Sequence, residues 1–134
     1  MLFLMLISGE ALADSSQCEG NFTVEDSFFS GKTYKTWADF PNVKPDHAFK
    51  AVYIQTVKDG WKISQADKAM GVISASQTVS YGNGKTVPLN IVVEKSGTGS
   101  KVSMTYSTPG GVGSPDEAVK KDFCATLTSV DNNQ

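Results

Sequence analysis

Apolar and polar residues alternate along most of the chain between residues 61 and 107, which is the period of β-strands. Four such segments are separated by turn sequences rich in glycine, such as 82–85 and 96–100. Short turns of this kind favour antiparallel pairing of consecutive strands. The pattern therefore predicts a four-strand antiparallel meander, with a ragged strand in residues 14–45 as the candidate fifth strand.

Two further segments have the period of helices. The first begins near Pro45 and ends before Gly60. Its predicted buried face comprises Phe49, Val52, Tyr53, Thr56 and Val57. The second begins at a capping box, with Ser114 as N-cap and Glu117 three residues later. Its predicted buried face comprises Val119, Phe123, Thr126, Leu127 and Val130.

Together these elements predict an α+β fold in which a four- to five-stranded antiparallel sheet carries both helices on one face. One row of side chains should face the helices: Ile73, Ala75, Val79, Leu89, Ile91, Val93, Val102 and Met104. The opposite face is rich in hydroxyl groups, and it is either a solvated surface or a binding face for a partner. Candidate binding residues on it are Ser74, Ser76, Thr78 and Thr105, together with Trp37.

Trp37 lies in an aromatic segment with Tyr34 and Phe40. Aromatic side chains often anchor protein interfaces, so the segment could be an exposed recognition patch. Packing of the N-terminal arm into the core is the alternative interpretation.

The first thirteen residues have the features of a signal peptide. An apolar run over residues 1–7 is followed by Ala11-Leu12-Ala13, which matches the small-x-small pattern of signal peptidase cleavage. A buried N-terminal element is the alternative. The sequence therefore predicts cleavage near Ala13, a single domain over residues 14–134, and a periplasmic or secreted location. No membrane span is expected in the mature protein, because the apolar run is shorter than the roughly 20 residues that cross a bilayer.

The chain has two cysteines, Cys18 and Cys124. In an exported protein an even cysteine count favours a disulfide, which here would join the mature N-terminus to the final helix. Two unrelated thiols are one alternative. A lipid anchor at Cys18 is another, but Gln17 stands where bacterial lipoproteins carry a small residue.

Charge and composition disfavour several classes of partner. The net charge is −2, and all 12 basic residues are lysine. Without arginine the chain lacks the planar fork that binds phosphate in a bidentate manner. We therefore expect no nucleic-acid partner.

No group of residues predicts a catalytic or metal centre. His47 is the single histidine, and a zinc site needs three or four convergent ligands. Turn and capping roles account for Asp46 and Asp67, and no spacing pairs either of them with Asp39 or Asp59 as an acid and base. We expect no catalytic residue, no metal and no cofactor.

One stretch resembles a known family. Gly60-Trp61-Lys62-Ile63, then Asp67, then Gly71-Val72-Ile73-Ser74-Ala75 follow an amphipathic helix. This order resembles the helix-grip unit of the outer-membrane assembly lipoprotein BamC and of small envelope proteins like it. The resemblance implies a helix-grip fold and a non-enzymatic envelope protein, and it transfers no binding residue.

Three functions are consistent with these features. The leading hypothesis is a non-enzymatic periplasmic protein that binds another cell-envelope protein. The alternative is a small-ligand carrier with a cavity between the sheet and the first helix, for which Ala75 and Gln77 in the inward row are the indications. A hydrolase that uses scattered acidic residues ranks last.

Overall fold

The computed structural model describes residues 17–27, 31–78, 86–109 and 114–132. Within these residues the chain forms an antiparallel sheet and three helical segments, of which the first, α1, comprises residues 17–21. The remaining elements, in chain order, are β1 (Thr23–Ser27), β2 (Gly31–Phe40), α2 (Pro45–Lys58), β3 (Lys62–Asp67), β4 (Val72–Thr78), β5 (Thr86–Ser96), β6 (Gly99–Ser107) and α3 (Asp116–Asn132).

The sheet has six strands among the described residues, in the order β1-β2-β6-β5-β4-β3. The predicted meander is confirmed, because β3, β4, β5 and β6 pair consecutively and antiparallel. The expected count of four to five strands is too low. The N-terminal segment contributes two strands, β1 and β2, and β2 pairs with β6.

Gly31 begins β2 at a point where only glycine fits. Its φ is +88°, and a Cβ placed there would lie 1.9 Å from the carbonyl oxygen of Thr108. Glycine permits both the positive φ and this close approach of two backbones. Where the sequence predicts one ragged strand, Gly31 is therefore the first residue of a second strand.

The predicted inward row forms the core. Ile73, Ala75, Leu89, Ile91, Val93, Val102 and Met104 are all buried. Val79 lies outside the described residues. Helix α2 contacts β5 and β6, helix α3 contacts β2, and the two helices contact each other.

Helix α3 buries all five residues of its predicted face, whereas α2 is rotated from the predicted orientation. Phe49, Val52 and Thr56 are buried, but Tyr53 is half-buried and Val57 is 49% exposed. The buried face instead includes Ala48 and Ala51. These small side chains leave little bulk between the helix and its neighbours, so the α2 backbone can pack closely on that side.

The predicted disulfide is present. Cys18 in α1 and Cys124 in α3 are bonded, with their Cα atoms 5.6 Å apart. Nearby, the buried Thr36 hydroxyl donates a hydrogen bond to the carbonyl oxygen of Cys18 at 2.6 Å. Both interactions fix α1 against the rest of the core.

Candidate functional site

A cavity of about 460 Å³ lies between the inner face of the sheet and the two long helices. The end of α2, the connection from α2 to β3, the inward residues of β4, β5 and β6, and α3 as far as Thr126 form its walls. It is lined by Thr56, Asp59, Trp61, Gln77, Leu89, Met104, Tyr106, Ser114, Pro115, Ala118, Val119, Asp122, Phe123 and Thr126. Its volume is within the range of roughly 300–1,000 Å³ that is typical of small-molecule sites.

The floor of the cavity is apolar and fixed by packing. Leu89, Met104, Tyr106 and Phe123 are 2–6% exposed, and each comes from the core layer. Leu89 is paired with Tyr106 across β5 and β6. Because these side chains are part of the core, the cavity is a feature of the folded state.

Three aromatic rings surround one side of the cavity. The Tyr106 ring centroid is 5.7 Å from that of Trp61 and 6.5 Å from that of Phe123. The interplanar angles are 81° and 71°, so the ring planes turn in different directions around Tyr106. Such edge-to-face arrangements are favoured by the ring quadrupoles.

The segment that leads into α3 forms one lip of the cavity, and two stacked tyrosines hold it. The Tyr34 hydroxyl donates to the carbonyl oxygen of Ser114 at 2.8 Å, and the Ser114 amide donates to the same hydroxyl at 3.2 Å. The Tyr106 hydroxyl lies 3.3 Å from Ser114 Oγ. Since the Tyr34 and Tyr106 rings are 5.4 Å apart and stacked, both hydroxyls are presented at the same end of the sheet.

An ion pair joins the same lip to β2. Lys32 Nζ lies 3.0 Å from Asp116 Oδ1. This hydrogen bond to Asp116 raises the pKa of Lys32 above its ordinary value. The pair neutralises one lysine and one carboxylate beside the cavity.

The rim is polar. Asp59 and Asp122 are exposed there, and the buried Thr126 hydroxyl lies 3.5 Å from Asp59 Oδ2. The same hydroxyl donates to the carbonyl oxygen of Asp122 at 3.1 Å. The half-buried side chain of Gln77 completes the polar part of the lining. An apolar floor below a polar rim suits a ligand that has both kinds of surface.

The sequence indicated part of this site. Gln77 lines the cavity as the carrier hypothesis expected, but Ala75 is a core residue outside it. Helix α3 contributes more of the lining than α2, whereas a cavity between the sheet and the helix that begins near Pro45, now α2, was expected. Tyr106 and Asp122 were missed, although a tyrosine that ends an inward apolar row is a detectable signal.

The residues predicted to form the outer face of the sheet lie next to one another on that face. Strand pairing aligns Thr105 with Asn90, Asn90 with Ser74, Pro88 with Ser76, and Thr86 with Thr78. Trp37, two positions from the Thr105 partner on β2, lies on this face as well. Trp37, Ser74, Ser76 and Thr105 are half-exposed and Thr78 is exposed.

Trp37 makes a specific contact on that face. Lys101 Nζ lies 4.5 Å from the centroid of the Trp37 ring, which is cation–π geometry. Beside it in the same segment, Tyr34 and Phe40 are buried in the core. The aromatic segment therefore divides between the two faces of β2.

Among the described residues, no group of three or more His, Cys, Asp or Glu side chains could hold a metal ion. Asp67 accepts a hydrogen bond from the Met70 amide in the β3–β4 turn, as expected of a turn residue.

No helix in the described part of the chain has the length and apolar character needed to cross a bilayer.

Comparison with known proteins identifies similar folds but no family. No family model and no curated protein matches the chain. A conserved protein of unknown function, EF2215 from Enterococcus faecalis, has a similar structure, with a TM-score of 0.62, 7% identity, and coverage of 91% of this chain and 81% of the other. Ara h 8.0201, a Bet v 1-like protein, is similar with a TM-score of 0.50, 20% identity, and coverage of 75% of this chain and 94% of the other. The likeness fits a helix-grip fold.

Proposed function

We propose that the protein is a non-enzymatic carrier of a small molecule, which it binds in the cavity between the sheet and helices α2 and α3. The cavity carries this proposal, because it combines a buried apolar floor with a few polar groups at an open rim. Protein interiors are normally close-packed, so an open cavity against the core is unusual. A well-formed apolar cavity with a few polar groups is most often a ligand-binding site.

The position of the cavity in the fold supports the same role. It lies where the end of α2 and the first half of α3 meet the sheet, so the floor belongs to rigid elements. Ala118 and Pro115 at the rim are exposed, so a small molecule can enter without unfolding of either helix.

Binding of an uncharged fluorescent probe tests the proposal. N-phenyl-1-naphthylamine fluoresces when it enters an apolar site, and we expect saturable binding by the folded protein. Ala118→Trp places a large side chain at the rim, where it should obstruct the cavity. We expect it to weaken probe binding by at least about tenfold, which corresponds to a loss of roughly 1.4 kcal/mol of binding free energy.

Ala125→Trp is the matched control. Ala125 is also an exposed alanine of α3, but it does not line the cavity. This variant should bind the probe as the unmodified protein does. Equal binding by all three proteins would show that the probe binds elsewhere and would count against the carrier role.

The outer face supports a second candidate function, the binding of another cell-envelope protein. Ser74, Ser76, Thr78, Thr105 and Trp37 lie on one face, opposite the helices. Ser76→Glu with Thr78→Glu should retain the fold while abolishing capture of a partner from envelope extracts. Unchanged capture by this double variant would remove the outer face as the interface.

Export to the periplasm or the medium is part of the proposal. The predicted signal segment, residues 1–13, lies outside the described residues. The Cys18–Cys124 disulfide is compatible with an oxidising compartment. Mass spectrometry of the chain recovered from the periplasm should show a start near Asp14, and an uncleaved cytoplasmic chain would contradict export.

A further inference from the structure

The charged residues that line the cavity have one sign. Asp59 and Asp122 both contribute to its lining, and none of the described lining residues is basic. Within the described chain neither carboxylate takes part in an ion pair. A ligand in the cavity therefore lies beside two negative groups that the protein does not neutralise.

Two lysines near the start of α3 take part in ion pairs. Lys32 is held by Asp116 at 3.0 Å, and Lys120 lies 3.4 Å from Glu117. These pairs cancel their charges locally, and Asp59 and Asp122 are the charged residues of the described cavity lining. Because field lines concentrate in clefts with low-dielectric walls, an unbalanced pair of charges acts more strongly there than on an open surface.

The aromatic wall has the same electrostatic preference. Trp61, Tyr106 and Phe123 line the cavity, and their planes are inclined at 81° and 71° about Tyr106. Aromatic faces are negative, and groups of rings with differently oriented planes are the surfaces that bind ammonium groups. Trp61 is half-buried, so its ring combines contact with the floor and access to the rim.

We propose that the ligand class of this cavity is a small organic cation, an amine with an apolar body. The ammonium group would lie between the rim carboxylates and the aromatic wall, and the apolar body would rest on Leu89 and Met104. The proposal rests on the carrier function and specifies its ligand. It requires that positive charge, and not only apolar surface, determines affinity.

Three probes with one apolar body and different head groups test this. They are 3-phenylpropylammonium, 3-phenylpropan-1-ol and 3-phenylpropanoate, each titrated into the full chain by calorimetry at low salt. The ammonium should bind about two- to fivefold more tightly per rim carboxylate than the alcohol, and the carboxylate should bind most weakly. High salt should reduce the advantage of the ammonium and leave the alcohol unchanged.

Charge-neutralising variants locate the effect. Asp59→Asn and Asp122→Asn should each weaken ammonium binding about two- to fivefold, with little change for the alcohol. Glu94→Gln, which removes the same charge from the outer face of β5, is the matched control and should bind as the unmodified protein does.

The outcomes separate the two proposals. Equal affinity for the ammonium and the alcohol, or tightest binding of the carboxylate, would overturn the cation preference and leave the carrier function standing. Absence of binding by all three probes and by N-phenyl-1-naphthylamine would overturn both. If Glu94→Gln reduced the preference for the ammonium over the alcohol as much as Asp59→Asn does, the effect would be one of overall charge. That result would overturn the assignment to the rim.

Discussion

At the scale of residues, Tyr106 and Phe123 serve both the core and the candidate site. Phe123 is 4% exposed, and its ring centroid lies 6.1 Å from Phe22 and 6.5 Å from Tyr106. Each ring therefore packs on aromatic neighbours and also lines the cavity. A substitution here changes stability and binding together, so the rim residues are the cleaner tests of function.

Phe123→Ala should lower the free energy of unfolding by about 3–5 kcal/mol, because it removes a buried ring and enlarges a space that is already incompletely filled. Urea titration of the oxidised protein measures this loss. Val57→Ala is the control, since Val57 is 49% exposed and should cost less than about 1 kcal/mol. Similar losses for the two variants would show that Phe123 is not a core residue.

At the scale of elements, the regularity of the side-chain pattern decided what could be predicted. Leu89, Ile91 and Val93 recur at every second position, and β5 was correctly predicted with its inward face. The inward row of β2 is Tyr34, Thr36, Ala38 and Phe40, all buried. The two central residues of this row, Thr36 and Ala38, are only weakly apolar, whereas the large apolar Trp37 lies on the other face. The alternation of apolar and polar residues that marks a strand is therefore not visible in the sequence of β2.

The same reasoning explains the error in α2. Ala48 and Ala51 are buried, but alanine gives almost no signal of burial in a sequence. Val57 is a strong apolar signal at a position that the fold leaves exposed. The orientation of a helix depends on what packs against it, and the pattern of one helix does not contain that information.

The disulfide is the strongest connection between the N-terminal segment and the last helix. It joins residues 106 positions apart, and closure of a loop this long is worth about 4–5 kcal/mol in the chain-entropy model. Reduction, or Cys18→Ser with Cys124→Ser, should lower the free energy of unfolding by about that amount. Denaturant titration with and without reductant gives the value, and insensitivity to reductant would contradict the bond.

At the scale of the whole molecule, the cavity was beyond the reach of sequence patterns. Its lining extends from Thr56 to Thr126 and joins five elements. Gln77 is the predictable part, because a polar residue in an inward row is unusual, and it does line the cavity. Asp59 follows a helix and Asp122 lies within one, and only the packing of α2 against α3 brings them to the same rim.

The central claim is that a small molecule occupies this cavity, and nuclear magnetic resonance of the methionine methyl groups tests it directly. Met104 lines the floor and is 2% exposed, while Met70 is 71% exposed in the β3–β4 turn and serves as an internal control. With 3-phenylpropylammonium bound, we expect intermolecular nuclear Overhauser effects to the Met104 methyl group and none to that of Met70. Saturable binding with no such contact to Met104, or with contacts to Met70 alone, would contradict the account.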